Sequence, residues 1–190
     1  YIDGQVTTAS TLTDITRADL QEQTLSVSNS VNFEDPETSN DVTNVVREVS
    51  QNDVGWWDFS TAPPSIEKQG WYIDFLESGN NIGEMLVTDS LVLGTSVIFA
   101  TSVPNEEPCE SGIDRWLWAL DIQTGGRSNN PVFDLNNDGT IDTDDKGQHD
   151  KVYSSVKVEG YGAPSAVGER LYLNLDQGVQ TEEFDSGFAS

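Results

Sequence analysis

The sequence predicts an all-β domain, and three observations predict it. Apolar and β-branched residues come in short runs bounded by Gly, Pro, Asn and Asp, with turn signals at close spacing. No long segment carries the 3.6-residue period of an amphipathic helix. The stretches "TSVIFATS", "RWLWALDIQTGG" and "ERLYLNLDQG" repeat one theme, an aromatic-rich strand closed by an Asp and a Gly turn. Sandwich, barrel and propeller all fit the first two observations; the quasi-repeats favour a propeller.

Taken in order, residues 1–55 form a polar segment rich in Thr, Ser, Asn and Asp. In it "TRADLQEQ" predicts a short helix, with Thr16 as N-cap and Asp19 closing a capping box. "LSVSNSVNF" alternates apolar and polar residues as a strand does, "FEDPETSND" is a loop, and "VTNVVREVS" a second strand. These make the segment a short helix with edge strands. Residues 56–190 carry denser apolar residues and the blades: "GWYIDF", two strands around Gly94 in "MLVTDSLVLGTSVIFATSVP", and "RWLWALDIQTGG" with its Thr-Gly-Gly turn. "KVYSSVKV", "APSAVGERLYLNL" and the Gln-Gly turn after it continue the pattern.

The 190 residues carry 33 acids against 9 Lys and Arg, a formal charge of -24. Phosphate contacts need cations, so nucleic acid and an anionic membrane surface are poor partners. Divalent cations, basic partner surfaces, or solubility in a salty extracellular setting suit that balance. No stretch approaches the roughly 20 apolar residues of a membrane span. The chain begins at Tyr1, with neither initiator Met nor signal peptide, and is expected to be a piece of a longer, processed protein. Its single cysteine, Cys109, is either a free thiol or paired outside this segment.

Five aspartates stand within residues 134–145, in "DLNNDGTIDTDD". Like charges that close repel, so such a loop is either loose and wet or held by a cation. Counted from Asp134, position 3 is Asn136, position 5 Asp138, position 6 Gly139, position 7 Thr140, position 9 Asp142 and position 12 Asp145. This is the spacing of an EF-hand-type calcium loop. Asp134, Asn136 and Asp138 supply oxygens from one rim, and Gly139 permits the sharp turn. Thr140 offers its backbone carbonyl, Ile141 anchors the loop to the core, and Asp142 binds directly or through water. Asp145 replaces the usual bidentate Glu and has to reach further. A solvated Asx-rich turn needs neither acids at alternate positions nor glycine at the sixth. Oxygen ligands favour calcium over zinc or copper. Pro131 and strand-formers at the entry place the loop between strands, as a clip or switch rather than a helix-opening EF-hand.

Other chemistry has thinner support. His149 is the only histidine, so a zinc site or Cys-His pair is not indicated. There is no G-x-S-x-G for a hydrolase, and acids are too many to single out a glycosidase pair. Trp56, Trp57, Trp71, Trp116 and Trp118 could form a sugar platform, but on alternating strands they read as core. No enzyme is expected.

The pieces "RADLQEQT", "GWYIDF", "VTDSLVLGTSVIFATSVPNEEPC", "WLWALDIQTGG" and "PVFDLNNDGTID", in that order, resemble the C-terminal region of the PilC/PilY-type proteins. Those are tip-associated adhesins and assembly factors of type IV pili. The resemblance covers about residues 16–190, and the run from Gly70 to Asp142 is its most specific part. It implies part of a modified β-propeller with an inserted EF-hand-like calcium loop. Carried over position by position, the ligands are Asp134, Asn136, Asp138, Thr140 and Asp142, a nine-residue version that leaves Asp145 outside. The resemblance further implies pilins or minor pilins at the pilus tip as partners, and a host or abiotic surface to adhere to. It implies an extracellular or outer-membrane-associated location, and a part in balancing pilus extension and retraction. The chain is shorter than a complete propeller, so other blades come from sequence outside it. The rival readings are a quinoprotein-type propeller enzyme, which expects adjacent cysteines, and a dockerin-like module, which expects two loops with helices.

Overall fold

The computed structural model describes residues 15–35, 38, 40–86, 88–104, 113–158, 164–167, 170–175 and 178–183. Cys109, residues 1–14 and the start of the expected Gln-Gly turn lie outside them. Among the described residues there is no α-helix; the only helical pieces are single 3-10 turns at Arg17–Asp19 and Thr143–Asp145. None is long and apolar enough to cross a membrane.

The main sheet contains β1 (Asn29–Glu34), β2 (Asp41–Arg47), β3 (Met85–Leu86), β4 (Leu91–Leu93), β5 (Ser96–Pro104), β6 (Ile113–Asp121) and β7 (Ser155–Val158). The order is β4-β5-β6-β7-β2-β1, with β3 also on β5. Every pairing in it is antiparallel. Strands from both sides of residue 55 therefore share one sheet. A second antiparallel sheet joins β8 (Ser165–Val167), β9 (Arg170–Leu175) and β10 (Gly178–Glu183). Two short hairpins and a parallel pair, Gln21–Gln23 beside Trp71–Ile73, complete the elements. Among the described residues the sheets remain open, with no closed barrel or ring of blades.

The β5–β6 hairpin organises the core because both its faces are covered. Trp116 to Leu120 are each at most 3% exposed. Alternation then sends Leu117 and Ala119 to one side and Trp116, Trp118 and Leu120 to the other. The first side packs with Ile98, Phe33, Val46 and Val156, and is roofed by Val132, Phe133 and Leu135. The second packs with Phe99 and Val49 under Trp71, Ile73 and Phe75. Phe99 lies directly across from Trp118, and their rings stack at 6.0 Å. Trp116 and Trp118 are thus core residues, as their strand positions predicted.

A polar network is sealed into the second side. The Arg47 guanidinium meets Glu84 at 2.6 Å, with both side chains at most 2% exposed. It also lies 3.7 Å from the Trp116 ring centroid. Glu84 accepts from the Thr101 hydroxyl, which in turn accepts from Trp118 Nε1. Pairing of this kind is what permits charges to be buried at all.

Three local expectations are corrected. The helix at "TRADLQEQ" is one turn only: its capping box forms, but no residue of the turn is buried. A lone short helix without an apolar face gains too little to propagate. The chain leaves it as a strand, and Gln23 is buried with its amide donating to the carbonyls of Asn52 and Thr124. The strand expected over "LSVSNSVNF" begins only at Asn29, while Leu25 makes a single bridge to Val49. The two strands around Gly94 are three, because β3 and β4 lie in series along one edge of β5.

Candidate metal centre

The loop lies in the connection from β6 to β7. Its entry, residues 131–136, is buried throughout. Val132, Phe133 and Leu135 supply the apolar roof described above, and Asn44 on β2 donates to the Leu135 carbonyl at 2.6 Å. Side chains that alternate with these anchors are carried inward with them, so Asp134 is 9% exposed and Asn136 fully buried. The expected anchor Ile141 is only partly buried and lies outside both core clusters. The positions against the sheet are filled by Val132, Phe133 and Leu135, and Ile141 lies past the positive-φ residues Asn137 and Gly139. Asn137 and Gly139, at φ 61° and 82°, then reverse the chain. A Cβ at Gly139 would meet nothing within 4 Å, so glycine is needed there for conformation, not for space.

Inside the loop the acidic oxygens accept from backbone N–H groups. Asp134 Oδ2 accepts from Gly139 N at 2.9 Å. Asp138 Oδ1 accepts from the Thr140 N–H at 2.8 Å and hydroxyl at 2.7 Å. Asn136 Oδ1 accepts from Asp138 N, while its Nδ2 donates to Asp138 Oδ2. Asp142 caps the turn Thr143–Asp145, accepting from Asp144 N at 2.8 Å. Asp145 is 1% exposed. Its Oδ1 accepts from Leu135 N at 2.6 Å and Asn136 N at 3.2 Å, and its Oδ2 from Asp142 N at 3.0 Å.

Burial and donors pull the carboxyls apart electrostatically. Burial raises Asp134 above the ordinary carboxyl range, against three backbone donors that lower it. Burial also pushes Asp145 up to about 6, with its N–H partners opposing and Asp134 adding repulsion. At the rim, hydrogen bonds from Thr140 hold Asp138 below the usual range.

The six expected residues thus occupy one continuous loop, in three settings. Asp134, Asn136 and Asp145 are buried in it, Asp138 is partly buried, and Thr140 and Asp142 are exposed. Among the described residues, no three or more His, Cys, Asp or Glu side chains form a group that could hold an ion. One atom stands apart: Asp134 Oδ1 is buried with no hydrogen-bond partner. A buried, unpaired carboxylate oxygen is costly unless a cation or donor meets it. The donor set, oxygens from side chains and one carbonyl, fits a hard divalent ion. His149 is exposed on the next turn. What the spacing did not foretell is the set of N–H groups facing Asp145; position 12 counts the same for a ligand and for a backbone acceptor.

No family model matches the chain. The type IV pilus biogenesis factor PilY1 of Pseudomonas aeruginosa PAO1 is 34% identical over 160 residues, covering 84% of this chain and 13% of that protein. The crystal structure of the Pseudomonas aeruginosa PilY1 C-terminal domain superposes at a TM-score of 0.75 with 27% identity. That match takes in 92% of this chain and 33% of the solved one. The chain is homologous to the PilY1 C-terminal domain. A PilY1 homolog of Xylella fastidiosa is also similar, 38% identical over 63 residues, 32% of this chain and 4% of that protein. The chain spans about an eighth of the length of the Pseudomonas aeruginosa PilY1 proteins it is similar to. The structural match takes in most of the chain, so the fold described above is shared with the PilY1 C-terminal domain.

Proposed function

We propose that this chain is a calcium-binding segment of a modified β-propeller in a type IV pilus tip protein, acting in pilus biogenesis and surface attachment. The observation that carries the calcium part is the buried, partnerless Asp134 Oδ1 inside a loop with calcium-ligand spacing. The pilus part is supported by homology to a protein named as a type IV pilus biogenesis factor. The ion would be held by Asp134, Asn136, Asp138 and Asp142 and by the Thr140 carbonyl. Bound calcium supplies the positive charge that offsets repulsion among these carboxylates. The residues do the rest: Phe133 and Leu135 fix one end of the loop on the sheet, and Gly139 turns the chain so that position 7 comes round.

With the loop set, the surface beside it is fixed for pilins, minor pilins or an attachment surface. The remaining propeller blades come from the flanking sequence that the longer relatives carry. An acidic chain of this kind suits an extracellular, calcium-containing setting at the cell surface. The test is Asp138→Ala in the full-length protein, with surface pili counted in retraction-competent and retraction-deficient cells. Fewer pili in the first and normal numbers in the second are expected. Equal pili in both, with a protein shown to have lost calcium, would contradict the link between the loop and the pilus.

A further inference from the structure

We propose that Asp145 is the clamp that closes the neck of the loop, tying residue 142 back to residues 135 and 136. The inference rests on the calcium reading above and assigns position 12 a different task. A carboxylate offers about four lone-pair directions. Asp145 spends three of them on backbone N–H groups, two on Oδ1 from Leu135 and Asn136 and one on Oδ2 from Asp142. Those donors belong to positions 2, 3 and 9, the two ends of the loop. One buried side chain therefore ties the incoming arm to the outgoing one, three residues past the last ligand position.

The contrast with Asp134 sets the roles. Asp134 keeps an oxygen buried and without a partner, whereas no oxygen of Asp145 is left without one. The link is also rigid. Asp145 ends the turn Thr143–Asp145, which Asp142 caps in a reciprocal capping box. Its main chain is fixed by the same residue its side chain holds. Leu135, at the other end, is locked by Asn44 and by the core. Asp145 is thus a positioning residue: it sets the distance between Asp134 and Asn136 on one side and Asp142 on the other.

Terbium(III) luminescence on the full-length protein separates a clamp from a ligand, because decay rates in H2O and D2O count the waters on the ion. Losing an outer support weakens binding by about 10- to 100-fold without freeing a coordination position. The expected result for Asp145→Ala is that weakening with an unchanged water count. Asp145→Asn keeps one oxygen for the Leu135 and Asn136 N–H groups but turns an NH2 toward the Asp142 N–H, so it breaks the tie and is expected to weaken binding with an unchanged water count as well. Asp138→Ala, which removes a ligand, gains at least one water. A raised water count in either Asp145 variant, or wild-type affinity in both, overturns the clamp. Should Asp145→Ala fail to fold, Asp145→Asn carries both readouts. Wild-type protein that binds no terbium overturns the calcium reading itself, and the clamp with it.

Discussion

Asp134, Asp138 and Asp145 share one loop and differ in what surrounds each carboxyl. Asp145 shows the consequence most sharply, since burial outweighs three N–H donors and pushes it up to about 6 from 3.8. A carboxyl raised in the fold holds its proton more tightly there than in the unfolded chain. Its contribution to stability is therefore fully present below the unfolded value and is lost as pH rises through about 6. In calcium-free protein, the stability of wild type relative to Asp145→Asn should fall between about pH 4 and 6, by up to about 3 kcal/mol. Urea unfolding at several pH values reads this; a difference that grows with pH would show that the donors win. Gly139 makes a separate prediction. With φ at 82° and no neighbour near a Cβ, Gly139→Ala should cost about 1–2 kcal/mol from backbone strain alone. Gly139→Asn should cost less, and equal costs for the two would argue against a purely conformational role.

At the scale of elements, the sealed pair of Arg47 and Glu84 joins β2 to the segment leading into β3 and, through Thr101, to β5. Glu84→Ala leaves a buried guanidinium over Trp116 without its counter-ion, an effect of about 3–5 kcal/mol. Thermal denaturation measures it, and a change under 1 kcal/mol would mean the pair is hydrated in solution. The loop is a second such element, and its amides from Asp138 to Asp144 should gain hydrogen-exchange protection with calcium. Equal protection with and without the ion would reduce the switch to a static clip. The sequence made some of this legible and hid the rest for physical reasons. Strand β6 was plain because Trp116–Leu120 is an unbroken apolar run, the mark of a strand covered on both faces. The turn at 134–145 was plain because its Asp, Asn and Gly signals are local. The helix at Arg17 was overestimated because a capping box reports only its own turn, whereas the fate of Gln21–Gln23 is set by Trp71–Ile73, fifty residues on. Ile141 misled similarly: an apolar residue at position 8 does not show which part of the loop packs on the sheet, and Phe133 and Leu135 of the entry hold those places.

For the whole molecule, the governing quantity is a charge of -24 on 190 residues. Self-repulsion of that size works against the compact state, and a ligand bound only by the folded form works for it. Calcium at a hundred times its dissociation constant should stabilise the protein by about 2.7 kcal/mol. A chelator should remove that gain, and added sodium chloride should not replace it, because screening acts on all charges alike whereas a calcium loop would discriminate between ions. The propeller, by contrast, is not closed by the described strands. Two or three quasi-repeats are too few to fix a blade count, and the described strands form open sheets. The central claim is that the 134–142 loop holds one calcium ion. It is tested most directly by calorimetric titration of calcium into wild-type protein and into Asp138→Ala. The account predicts a single site in the wild type that is lost or greatly weakened in the variant; no heat of binding in folded wild-type protein, or the same isotherm for both, would contradict it.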